Sequence, residues 1–203
     1  GNVFGGSKGL LLDTIVNPKW ELLANVKGAE VTVGGNALVK SSVYGGSEAG
    51  IVKGNTLVKI QDNAKIGGET GSESLAEHRG NVFGGGCGMD SIRYAGTQYL
   101  GGDTIVCMRK AGRVDGNSRV EMSGGTALGN LYGGCEITDV LGHATVIKSG
   151  GQVGWAREFN DIVAMPHYGN VFGSGKGGPD TRFNTWTNVD STYVEVAENS
   201  GHI

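Results

Sequence analysis

"GNSRVEMSGGTALGNLYGG", residues Gly116–Gly134, contains most of one cycle of the repeat from which this chain is built. Ser118, Val120 and Met122 alternate with Arg119 and Glu121, the period-two pattern of a half-buried strand. "SGGTALG" then supplies a glycine turn and a short strand, and "GNLYGG" sets an aromatic residue before a second glycine pair. The next long strand, "GHATVIK" (Gly142–Lys148), follows so closely that Val120 and Val146 are 26 residues apart. A unit this short cannot bury an apolar face alone and must pack it against the next copy.

Copies run through the whole chain. The aromatic phrase appears as "GNVFGG" at Gly1–Gly6, "SSVYGG" at Ser41–Gly46, "GNVFGGG" at Gly80–Gly86, "GNLYGG" at Gly129–Gly134 and "GNVFGSG" at Gly169–Gly175. The strand phrase recurs as "KGAEVTV" from Lys27, "GNTLVKI" from Gly54 and "DSTYVEV" from Asp190. This pattern predicts an all-β fold, a parallel β-solenoid of about five coils, each rising about 4.8 Å. Asn2, Asn81, Asn130 and Asn170 are expected to form an amide ladder from coil to coil. Phe4, Tyr44, Phe83, Tyr132 and Phe172 are expected to form an aromatic ladder. Core packing is the reading for these rings, and an outward hydrophobic stripe is the alternative. Lys148 takes an apolar position of its strand and is expected to snorkel outward at an end or corner.

The cycles alternate in length. Extra residues stand near 10–26, 69–79, 89–113, 155–168 and 177–189, all flanking the Phe copies, whereas the Tyr copies pass directly to the next strand. The true period is therefore two coils, one decorated and one plain. Decorations on every second coil lie about 9–10 Å apart, room for a helix or a hairpin. "SESLAEH" (Ser72–His78) and "AREFNDIVAM" (Ala156–Met165) suit short helices. Residues 1–203 read as one solenoid segment of a longer repeat protein, since neither end looks like a polar cap. Trp20, Trp155 and Trp186 all fall in insertions. They are the candidate contact residues, and the plainer role for each is to pin its own loop to the solenoid flank.

Composition narrows the function. Glycine contributes 39 of 203 residues and proline only 3, without a Gly-X-Y period, so the chain is not collagen-like. A net charge of −3 without a basic patch gives no nucleic-acid footprint. No apolar run reaches membrane-span length. The histidines His78, His143, His167 and His202 form no metal motif, and His143 reads as a substitute for Asn in the strand phrase. "GSGKGG" (Gly173–Gly178) lacks the spacing and ending of a phosphate loop. Cys87, Cys107 and Cys135 match no zinc spacing, and a disulfide or buried thiols both remain open. No acidic position repeats on neighbouring coils as a catalytic face requires, so no catalytic residue, metal or cofactor is assigned.

"GNVFGGG", and "VYGG" followed by "VKGNTLVKI", resemble the glycine-rich repeat regions of large adhesin-like surface proteins of anaerobic gut bacteria. The resemblance covers the repeat body and not the insertions. It implies an extracellular or cell-surface location and a long parent chain. The expected function is a noncatalytic structural and adhesive segment, a stiff solenoid presenting contact loops. Its expected partner is either the chain itself, stacked end to end, or a surface glycan or protein. The alternative is a carbohydrate-active β-helix, a polysaccharide lyase or depolymerase.

Overall fold

A computed structural model describes residues 1–12, 21–68, 79–89, 91–97, 102–107, 110–154, 169–178, 187–198, 200, 201 and 203. These residues form a parallel β-solenoid of stacked coils, and among them there is no helix. Each of the first four coils passes through an aromatic strand, a single bridging valine, a long strand and a short strand, and the fifth adds an aromatic strand and a long strand. Three parallel sheets result from stacking like on like.

The aromatic sheet joins Val3–Phe4, Val43–Tyr44, Val82–Phe83, Leu131–Tyr132 and Val171–Phe172 in chain order. The long sheet joins Ala29–Val33, Thr56–Ile60, Ser118–Met122, His143–Lys148 and Ser191–Val196. The third sheet stacks Leu38–Val39, Lys65–Ile66, Thr126–Ala127 and Gln152–Val153. Between the first two sheets runs a column of single parallel bridges, Val26–Val52–Val114–Val140. Two decorations carry antiparallel hairpins, Leu10–Leu12 with Glu21–Leu23 and Ser91–Thr97 with Gly102–Cys107. The helices expected within 72–78 and 156–165 lie outside the described residues.

The main core is built by period two. Val58 and Ile60, Val120 and Met122, and Val146 are fully buried, while Leu57, Lys59, Arg119, Glu121, Thr145 and Ile147 face outward. Val43, Val82 and Leu131 of the aromatic sheet close the same core from its other side. Val52, Val114, Val140 and Cys135 make a second, smaller cluster behind the bridging column.

Glycine sets the spacing at one corner. Gly45, Gly84 and Gly133 follow the aromatic on successive coils, and none has a positive φ. A side chain is nevertheless excluded, because a Cβ on each would collide with the carbonyl oxygen of the equivalent glycine one coil on: Gly84, Gly133 and Gly173 respectively. The phrase "YGG" thus keeps its first glycine for close approach of two backbones rather than for turning.

Lys148 departs from its expected outward position. It occupies the inward column of Val33, Ile60, Met122 and Val196, and its side chain is fully buried. Its ammonium Nζ donates to the carbonyl of Gly151 at 3.0 Å and to that of Ser200. Desolvation lowers its pKa from the usual lysine value. A long side chain can point inward here because backbone oxygens of the next turn and of the C-terminal segment meet its head group.

Candidate functional site

The most structured feature outside the main core is the aromatic ladder and a charged column beside it. The five rings stack with centroids 4.8, 4.9, 4.8 and 5.0 Å apart and interplanar angles of 6–14°. Successive residues of a strand point to opposite faces, so the rings lie opposite Val43, Val82 and Leu131. They form a separate cluster, with Tyr44, Phe83 and Tyr132 buried and Phe4 and Cys87 packed against them. The rings thus pack as core, in a cluster separate from the main one, and do not form an exposed stripe along the stack. Phe172, on the last coil, is the exposed exception.

Four residues beyond each aromatic, the register brings Lys8, Glu48, Cys87, Glu136 and Lys176 into one column. Ala49 N donates to Lys8 O, Gly88 N to Glu48 O, Ile137 N to Cys87 O and Gly177 N to Glu136 O. Acids occupy the plain coils, while Lys or Cys occupies the decorated ones. Acidic positions thus recur every second coil, a period the one-coil comparison of the sequence overlooked. Glu136 is the hub. Its Oε2 accepts from the Tyr44 hydroxyl at 2.6 Å and lies 3.4 Å from Cys87 Sγ, while its Oε1 pairs with Lys176 Nζ at 3.3 Å. Tyr44, Cys87 and Glu136 stand on three successive coils, so this one carboxylate ties three coils together.

The electrostatics oppose nucleophilic chemistry. Burial first, and then the Glu136 carboxylate, push the Cys87 thiol up to about 12 and the Tyr44 phenol well above its ordinary value. Burial also raises Cys135 to about 12. An activated cysteine needs the opposite shift. Cys87 and Cys135 are free thiols, with no disulfide between them, and Cys135 Sγ accepts from Gly86 N at 3.3 Å.

Amide columns surround this site. Ser42 N donates to Asn2 Oδ1, Asn130 N to Asn81 Oδ1 and Asn170 N to Asn130 Oδ1, each at 2.9 Å. On the second coil Ser42 fills the slot, its Oγ accepting from Asn81 N. A second column runs Asn55, Asn117, His143, each side-chain amide oxygen accepting from the backbone N of the next coil. His143 thus sits in an asparagine slot. Its Nδ1 lies 2.6 Å from Ser191 Oγ and 3.3 Å from Asp190 Oδ2. Both partners share one ring nitrogen at an exposed position, whereas a hydrolytic triad needs them on opposite nitrogens.

Among the described residues no three His, Cys, Asp or Glu side chains are placed to hold a metal ion. Trp20, Trp155 and Trp186, and with them His78, His167 and His202, lie outside the described residues. The charged column escaped sequence reading because its residue types alternate. The bridging column left a signal that went unread: Val26, Val52, Val114 and Val140 each stand two residues before a glycine.

What the fold and column define is a class, a repeat-built parallel β-solenoid with a two-coil period. No protein-family model, curated protein or solved structure matches this chain.

Proposed function

We propose that this chain is a noncatalytic structural and adhesive segment of an extracellular or cell-surface fibre protein, a stiff solenoid whose decorated coils present contact loops. The observation that carries the reading is the use of polar groups. The side chains of Asn2, Asn55, Asn81, Asn117, Asn130 and Glu136 bond from coil to coil, and burial keeps the Cys87 and Cys135 thiols and the Tyr44 phenol protonated. Such groups stiffen a stack and, among the described residues, are engaged in holding it together rather than poised as acid, base or nucleophile. The likeness of "GNVFGGG" and "VYGG" to adhesin-like repeats supports the surface setting. The contact function is assigned to Trp20, Trp155 and Trp186, all of which fall in insertions of the repeat.

The test is a glycan and mucin binding screen with the single variants Trp20→Ala, Trp155→Ala and Trp186→Ala, run beside an assay for new reducing ends and unsaturated uronates. The reading predicts binding that falls at least tenfold in one variant and no cleavage product. Cleavage of any polysaccharide would replace it with the carbohydrate-active alternative. Binding unchanged in all three variants would remove the tryptophans from the contact surface.

A further inference from the structure

Three reactive side chains from three successive coils meet around one oxygen atom of Glu136. The Tyr44 hydroxyl donates to Glu136 Oε2 at 2.6 Å, and Cys87 Sγ lies 3.4 Å from the same oxygen. The hydroxyl and the thiol also interact with each other directly. Cys87 packs against the ring cluster to which Tyr44 belongs. The other carboxylate oxygen, Oε1, pairs with Lys176 Nζ, which leaves Oε2 to the phenol and the thiol. Holding coils together does not call for sulfur in this place. A thiol is a weak hydrogen-bond donor, and a serine hydroxyl would serve the carboxylate better. What sulfur adds beside a phenol is redox chemistry.

We propose that Tyr44 and Cys87 form an oxidative cross-linking site, at which a one-electron oxidant from outside the chain joins Cys87 Sγ to the ring carbon beside the Tyr44 hydroxyl as a thioether. The first electron leaves the phenol while its proton passes to Glu136 Oε2, giving a neutral phenoxyl radical. The second electron leaves as the sulfur bonds to the ortho ring carbon (Cε). The S–H bond and the C–H bond of that carbon break, and both hydrogens depart as protons. Glu136 returns its proton to the phenol. The chain loses two hydrogen atoms, and two equivalents of oxidant each gain one electron.

The surroundings favour this outcome over other oxidations of the pair. An electron taken from a buried phenol leaves a cation behind, and an unpaired buried charge is costly. A carboxylate already at 2.6 Å removes that charge by taking the proton. The Tyr44 ring is sandwiched between Phe4 and Phe83, with centroids 4.8 and 4.9 Å away. Phenylalanine is too hard to oxidise to draw the radical off. Disulfide exchange needs a thiolate, whereas Cys87 is held protonated, and the buried Cys135 thiol is turned to Gly86 N. The product is a covalent tie between the second and third coils that thiol reductants cannot open.

The test treats the full 203-residue chain with a stepwise excess of hexachloroiridate(IV), digests it with trypsin under dithiothreitol and weighs the peptides by mass spectrometry. The expected product joins residues 41–53 to residues 80–93 and is lighter than the two peptides together by two hydrogens. Its yield should fall at least tenfold in Tyr44→Phe, in Cys87→Ser and in Glu136→Gln, where an amide still accepts from the phenol but takes no proton. Circular dichroism checks that each variant keeps its strands. Should one lose them, the native chain compared with its guanidinium-unfolded form carries the test alone, and the unfolded form is expected to give no linked pair. Oxygen added to Cys87 in place of the link, equal linking in the unfolded chain, an undiminished yield in a folded Glu136→Gln chain, or no change at either residue would each overturn the proposal.

Discussion

Gly84→Ala provides a severe test of how the coils are spaced. The backbone at Gly84 suits any L-residue, so local propensity alone makes alanine harmless or mildly favourable there. The stack says otherwise. The new methyl group would fall on the carbonyl oxygen of Gly133, a backbone atom that cannot rotate away. Relief requires the two coils to part by about 1.2–1.7 Å, the gap between the clash and an ordinary van der Waals contact of about 3.5–4.0 Å. Parting them stretches the bonds from Gly84 N to Tyr132 O at 2.9 Å and from Gly85 N to Gly134 O at 3.0 Å. It also opens the Phe83–Tyr132 stack, now at 4.8 Å. Two weakened hydrogen bonds at about 1 kcal/mol each and an overpacking term of about 1–3 kcal/mol give a loss of roughly 3–5 kcal/mol. For a chain of this length each kcal/mol lowers Tm by about 2–4 °C. Gly35→Ala is the comparison: Gly35 has φ +60° and open space around it, so only the left-handed backbone penalises alanine, by about 1–2 kcal/mol. Thermal unfolding followed by circular dichroism should show Gly84→Ala falling by about 10 °C and Gly35→Ala by less than half of that. A Gly84 variant no worse than the Gly35 variant would refute the close-approach account.

Further outcomes follow from other contacts. Tyr44→Phe removes a donor from a largely buried carboxylate and should cost about 1.5–3 kcal/mol, read as a shift in the denaturant midpoint, while Tyr193→Phe, at an exposed hydroxyl, should cost nothing measurable. Thr56 Oγ1 is buried without a partner among the described residues, so Thr56→Val should be neutral or stabilising by up to about 1 kcal/mol, and a loss above that would reveal a missing bond. Cys87 and Cys135 are raised on folding from 9.0 to about 12, so the folded state holds more protons and stability falls as pH rises through that window, with no thiol contribution below it. Lys148, lowered on folding, gives a slope of opposite sign that ends near its ordinary 10.5, and Tyr44, raised from its ordinary 10.0, adds a slope of the same sign as the thiols above it, so the thiol part, about 1.4 kcal/mol per group per pH unit, is read between pH 10.5 and 12 as the lessening in Cys87→Ala.

The repeat was legible because its columns keep chemistry as well as spacing. Val58, Val120, Val146 and Val194 fall in register with Val31, as the alternation of each strand phrase requires. The aromatic column was equally readable, since only Phe and Tyr occupy it. Its core packing was readable too, but not that the rings would form a cluster of their own, because a two-residue strand has too little alternation to assign a face. Lys148 was misread for a similar reason: whether a lysine in an apolar column turns out or stays in depends on acceptors at Gly151 and Ser200, one of them far along the chain. The Tyr44–Cys87–Glu136–Lys176 cluster joins four coils, and its column mixes cation, anion and thiol. No single phrase of the sequence shows that mixture to be a column until the register is known.

The central claim is parallel, in-register stacking, and disulfide trapping on the outer face of the long sheet tests it most directly. In a chain with Cys87, Cys107 and Cys135 replaced by alanine, the pair Leu57→Cys and Arg119→Cys places thiols on register partners, one strand spacing of about 4.8 Å apart and within disulfide reach. The pair Leu57→Cys and Glu121→Cys shares that face but is offset by two residues, about 8 Å away. The account predicts rapid oxidative closure of the first pair under dilute conditions and little closure of the second. Equal closure of both pairs, or preferential closure of the offset pair, would contradict it.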